Sequence, residues 1–125
     1  MPGPHELINA EGLMPAIGFS HAVRAAPGRT IWLGGQDAED AEGRISGATI
    51  PEQFERVLAN LVTALAASGA RAEHLVSMQI FVTSASEYRA ARAELGRIWQ
   101  RHLGKHYPAM ALFEVEGLFH PDARV

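Results

Sequence analysis

Residues Tyr107–Glu116 read Tyr-Pro-Ala-Met-Ala-Leu-Phe-Glu-Val-Glu. Proline has no amide hydrogen to give to a ladder, so Pro108 suits the first residues of a strand. Side chains alternate along a strand, which sets Met110 and Leu112 on one face and Ala109, Ala111, Phe113 and Val115 on the other. Both faces are apolar, and such a strand is usually covered on both. One face can take the chain's own helices. The other needs a cover from outside, and a second subunit is the simplest source. Glu114 shares the parity of Met110 and Leu112 and is expected at the edge of the same covered space.

On the N-terminal side of this strand, Tyr88, Ala91, Leu95, Ile98 and Trp99 recur at helical spacing. Ser84 and Glu87 have capping-box spacing before them, and Gly104 ends the run. His74–Thr83 alternates, with Val76, Met78, Ile80 and Val82 on one face and Ser77, Gln79, Phe81 and Thr83 on the other. A first helix opens near Pro51 and carries Phe54, Val57, Leu58, Leu61 and Leu65 as one apolar stripe until Ser68-Gly69. Ser20–Ala26, the Pro27-Gly28 turn and Thr30–Leu33 read as a hairpin. Leu7–Ala10 reads as a short strand or loop, Gly12–Gly18 and Asp37–Gly47 as loops, and Met1–Pro4 as a loose end. Gly117–Asp122 is a further loop, and Ala123-Arg124-Val125 starts another strand. Two helices on one face of a mixed sheet make a two-layer α+β domain, here a single one over residues 1–125.

Composition narrows the function. A hydrophobic share of 47% against 20% charged is an ordinary globular balance. A net charge of −3 gives no electrostatic footprint for nucleic acid or an acidic membrane. With no cysteine, disulfides, thiolate nucleophiles and Cys-ligated metals are excluded. The start lacks the basic and apolar regions of a signal peptide, and no run is long enough to span a membrane. A cytoplasmic protein is the expectation.

Several stretches together resemble the RidA/YjgF family of small imine and enamine deaminases. Pro108, Ala109, Glu114 and Val115 match its last-but-one strand. Gly12-Leu13 with Ala16-Ile17-Gly18, then Ser20-His21-Ala22-Val23, resemble its opening loop. Gly34-Gly35-Gln36 resembles its Ser-Gly-Gln, and Phe81-Val82-Thr83 the strand after its first helix. The resemblance implies a chorismate-mutase-like fold and a homotrimer with a pocket at each subunit interface. It also implies hydrolysis of 2-imino or enamine acids, with an arginine clamping the substrate carboxylate in a bidentate pair.

The residues that carry this chemistry in the family are changed here. The arginine falls on Met110 and the pocket cysteine or threonine on Leu112. The tyrosine falls on Phe19, the asparagine of the second helix on Arg92, and Gly34 replaces the serine. The family's final-strand glutamate falls just beyond Val125. The expectation is therefore a RidA-like protein that binds a small metabolite in an inter-subunit pocket, without typical imine deaminase activity. Phe19, Gly34, Met110 and Leu112 are its expected binding residues. The alternative is a deaminase for an atypical, less polar substrate, using Arg92, His21 or Glu114. A non-catalytic module that docks a protein partner is a further reading. Ribonuclease activity, sometimes attached to the family, has no support in the charge or in a paired-histidine spacing.

Each residue also has a plain reading. Arg92 can be a solvated helix arginine, His21 a strand histidine beside the hairpin, and Glu114 an edge carboxylate. Met110 and Leu112 can be simple packing residues, and Trp32 and Trp99 core or interface aromatics. His102 and His106 are four apart, but Gly104 interrupts the helix between them and no third ligand has matching spacing. No metal and no cofactor is expected.

Overall fold

The computed structural model of the chain describes residues 3–125. Its elements are β1 (Glu6–Ile8), β2 (Ala22–Arg24), α1 (Ile50–Ala67), a short 3-10 turn (Ala72–His74), β3 (Ser77–Val82), α2 (Ala85–Ala90), α3 (Arg92–Leu103) and β4 (Ala109–Glu114). Of the expected loose end, Met1 and Pro2 lie outside the described residues.

α1 starts where its caps dictate. The Thr49 hydroxyl accepts the Glu52 amide, and the Glu52 carboxylate accepts the Thr49 amide in return, satisfying two orphan donors. Gly47 precedes this box at φ 100°, and a Cβ there would sit 2.7 Å from the Glu52 Cβ, so only glycine fits. Phe54, Val57, Leu58 and Leu65 are buried along the expected stripe, with Leu61 half-buried against them. The second expected helix is two. The Ala91 amide is shared between the Glu87 and Tyr88 carbonyls, at 3.2 Å each, and α3 restarts at Arg92. Ser84 caps the Glu87 amide, but the capping box is half made. The Glu87 carboxylate turns instead to the Ile50 amide and to Arg124.

β3 and β4 pair in parallel, with Met78 opposite Met110, Ile80 opposite Leu112, Phe81 opposite Phe113 and Val82 opposite Glu114. A parallel pair needs a long crossover, and α2–α3 supply it. The helix-facing side of the pair holds Ile80 and Val82, at 8% and 0% exposure. Met78 and Met110 are half-buried against the same core. The opposite side holds Phe81 and Phe113, at 40% and 43% exposure, their rings stacked with centroids 5.5 Å apart.

The expected hairpin between Ser20–Ala26 and Thr30–Leu33 does not form. β2 pairs backwards with β1 in an antiparallel ladder, Leu7 opposite Val23, and Thr30–Leu33 runs as irregular chain. Cross-strand chemistry favours the observed pairing, since Glu6 lies opposite Arg24 and forms an ion pair with it. Ser20 joins this ladder to the larger sheet. Its amide donates to the Pro108 carbonyl at 3.0 Å and its hydroxyl to the Tyr107 carbonyl at 2.6 Å. An isolated parallel bridge from Ser20 to Ala109 links the two, one two-stranded antiparallel sheet and one two-stranded parallel sheet, within the α+β fold. Trp99 is buried, its indole N–H donating to the His106 carbonyl at 3.1 Å. Trp32 is not a core residue: it stands 89% exposed on the irregular segment.

Ala123–Val125 does not make a strand either. The Thr83 amide donates to the Arg124 carbonyl at 3.0 Å, and Val125 is buried. Gln53 holds this end down. Its amide group donates to the Gly47 and Asp122 carbonyls, at 3.2 and 3.0 Å, and its oxygen accepts the Arg124 amide at 2.7 Å.

Candidate functional site

The seven expected site residues fall into five places. Met110 and Leu112 lie on β4, on its helix-facing side, Met110 half-buried and Leu112 at the border of exposure. Met110 packs against the core, and its thioether has no hydrogen-bond donor. Phe19 lies in the loop before Ser20, next to the head of β4, with its ring edge-on to His21 at 5.8 Å. Gly34 sits in the irregular segment, and nothing lies within 4 Å of where its Cβ would be. That position can carry a side chain without a clash inside one chain.

The three polar members are placed apart. Glu114 accepts the Ala85 amide at 2.8 Å, so its carboxylate caps the start of α2. Arg92 is exposed at the first turn of α3, and among the described residues no carboxylate pairs with it. Both ring nitrogens of His21 are engaged with backbone. Nδ1 accepts the Ala10 amide at 3.0 Å and Nε2 donates to the Met14 carbonyl at 2.9 Å. One chain therefore brings Phe19 and His21 together, and Met110 and Leu112 together, but does not gather the polar residues around one point.

A cavity of about 600 Å³ exists elsewhere, bordered by Gly47, Gln53, Thr83, Glu116, Asp122 and Arg124 among others. None of the seven residues lines it. Sequence reasoning missed the polar ties of this region. Gln53 is 1% exposed, and the signal was its position three residues after Ile50 and four before Val57, on the buried stripe. Ser20 is likewise buried and tied to β4, with only its apolar neighbour Phe19 as a hint.

The two histidines spaced four apart diverge. His102 meets the Glu55 carboxylate at 2.7 Å, and His106 donates to the Leu75 carbonyl at 2.7 Å. The His102 hydrogen bond, with help from Arg101 and against some desolvation, holds the Glu55 carboxyl below the usual range. Burial pushes the Tyr88 phenol up. Among the described residues no helix is long and apolar enough to cross a membrane.

The family model described as Endoribonuclease L-PSP matches residues 10–125. Protein DfrA of Myxococcus xanthus is 32% identical over 113 residues, covering 89% of this chain and 83% of that protein. The crystal structure of YyfB, a Rid-family protein of Yersinia pestis, superposes with a TM-score of 0.86 at 31% identity, over 96% of this chain and 92% of the other. RidA from an Antarctic Psychrobacter superposes with a TM-score of 0.65 at 24% identity, over 94% and 92%, a likeness of fold alone.

Proposed function

The chain belongs to the Endoribonuclease L-PSP family, the RidA/YjgF proteins, and from that premise we propose that it binds a small metabolite of low polarity in a pocket formed where copies meet. Phe19, Gly34, Met110 and Leu112 are the binding residues in this reading, and the assembly is a homotrimer. Cytoplasmic residence and the absence of a bound cofactor belong to the same reading. The observation that carries it is Met110 on the helix-facing side of β4, beside Leu112, where related deaminases carry an arginine and a polar residue. The exposed stack of Phe81 and Phe113 supports the meeting of copies, since a soluble monomer rarely leaves such a face open. It lies on the opposite side of the β3–β4 pair from Met110, which packs against the chain's own core, so in this reading the pocket sits at the rim of the contact rather than beneath it.

The chemistry follows from what Met110 lacks. A bidentate arginine makes two charge-assisted hydrogen bonds to a carboxylate, each contributing roughly 1.5–3 kcal/mol. Without both, binding of a small imino acid weakens by about two to four powers of ten. Hydrolysis of imines derived from alanine or threonine is expected to be slight. A coupled assay that makes the imine in situ and follows semicarbazone formation tests this. Rates comparable to those of a deaminase with the arginine present would overturn it.

Arg92, exposed and without a carboxylate partner among the described residues, favours one alternative, a deaminase for a less polar substrate in which Arg92 replaces the clamp, with His21 or Glu114 as its acid or base. In that case Arg92→Ala abolishes the semicarbazone signal. In the leading reading the same change leaves ligand binding within a few-fold of the parent, as for an exposed residue away from the contact.

A further inference from the structure

The β1–β2 hairpin is clipped at both ends by histidines. His5, just before β1, accepts the amide of Ala26, just after β2, on Nδ1 at 3.0 Å. His21, just before β2, accepts the amide of Ala10, just after β1, on Nδ1 at 3.0 Å. The His21 amide donates in turn to the Asn9 side-chain oxygen at 3.2 Å. A ring nitrogen that accepts an N–H carries no proton, so the proton sits on Nε2 and each ring is neutral. For His21 this assignment is closed, because Nε2–H donates to the Met14 carbonyl at 2.9 Å. Protonating Nδ1 would set one donor against another, and the clip would be lost.

Little else holds the loop beyond the His21 clip. Residues 10–19 are exposed apart from Ala16, and their hydrogen bonds to the rest of the described chain are the two made by the His21 ring. A segment with few buried contacts and few bonds opens at low cost. The same segment carries Phe19, whose ring meets the His21 ring edge-on.

We propose that His5 and His21 form a pH-sensitive latch, in which the neutral rings close the two ends of the β1–β2 ladder, His21 alone pinning the loop of residues 9–21, and acid releases both. Imidazole is the side chain that changes charge between about pH 5 and 8. At His21 the neighbours are Asn9, the Met14 carbonyl and the Phe19 ring, and the adjoining Glu11 is an exposed loop residue that makes no ion pair among the described residues. Next to His5 in sequence is Glu6, paired with Arg24 of β2, and Glu73 of the 3-10 turn, paired with Arg71, lies against Gly3. Each carboxylate already has an arginine partner. The latch stands on this geometry alone, and only its consequence, wider access to Phe19 in acid, rests on the pocket reading above.

Nitrogen-15 spectra of the histidine rings and amide exchange of the full chain test the latch. At about pH 8 both rings should show Nδ1 bare and Nε2 protonated, and the Ala10 and Ala26 amides should be protected. At about pH 5.5 both amides should exchange at least roughly tenfold faster, after correction for the intrinsic rate, because one hydrogen bond is lost at each. Asparagine places an acceptor oxygen near the position of Nδ1 and does not titrate. The His5→Asn, His21→Asn double variant should therefore keep its protection across this range. A protonated Nδ1 at about pH 8, or unchanged protection in acid, would overturn the proposal, and so would an acid-induced rise that persists in the double variant. The ring spectra of the unaltered chain decide the tautomer even where a variant does not fold. A negative result in the semicarbazone or ligand assays leaves these readings untouched, so the two ideas fail separately.

Discussion

The two sides of the β3–β4 pair are built from the same kinds of residue and meet different surroundings. Ile80 and Val82 are packed under α1 and α3, while Phe81 and Phe113, one step away in each strand, stack in the open. Alternation alone assigns the four residues to the two sides, but it does not say what covers each one. The chain covers the first side itself. The second is left for another surface, and in the reading proposed here that surface is a second copy. Stability and assembly are thereby separated across a single layer of backbone. Substitutions on the two sides should report different quantities.

The largest effect should come from the covered side. Leu58→Ala empties a fully buried position beneath the sheet, and should cost about 2–5 kcal/mol in denaturant unfolding. Phe81→Ala should cost the isolated chain much less, since the ring is already partly in water. Equal losses from the two variants would erase the distinction between the sides.

Gln53→Ala comes next. It removes one side chain that serves three backbone groups, at Gly47, Asp122 and Arg124, and leaves them to find water. A loss of about 1–3 kcal/mol is expected. Amide exchange should rise at Arg124, while the amides of β4 stay protected.

The smallest effect lies on the outer surface of the helices. Hydrogen bonding to His102 and Arg101 lowers the folded-state pKa of Glu55 below its unfolded value. Such a group stabilises the fold above the unfolded carboxylate range, and the contribution disappears as pH falls through the folded value. Both partners are partly exposed, so the effect is small and screened by salt. The difference in Tm between the parent and Glu55→Gln should be modest at neutral pH, vanish in strong acid, and shrink with added salt.

The sequence made some of this legible and hid the rest. The stripe of α1 and the alternation of β3 are periodic signals that burial follows. β4 is a strand where its pattern put one, but only Ala109 and Met110 are partly covered by the chain itself. The partner of β2 was not legible. The Pro27-Gly28 turn pointed forward to Thr30–Leu33, but the observed pairing carries the Glu6–Arg24 ion pair and the two histidine clips, which join residues 11 to 21 positions apart. The break at Ala91 has no proline or glycine to announce it. At the candidate site, the apolar character of Met110 and Leu112 could be read directly. The capping role of Glu114 and the backbone ties of His21 could not, because each depends on an element distant in sequence.

Mass in solution tests most directly whether the open side is where copies meet. Light scattering at micromolar concentration should give the parent a mass of three 13.5 kDa chains. Phe81→Lys should reduce it to one chain that keeps its helical content, because an unpaired charge buried between subunits is costly. A parent that scatters as a single chain, or a Phe81→Lys variant that stays trimeric, would contradict the proposed role of the Phe81–Phe113 face.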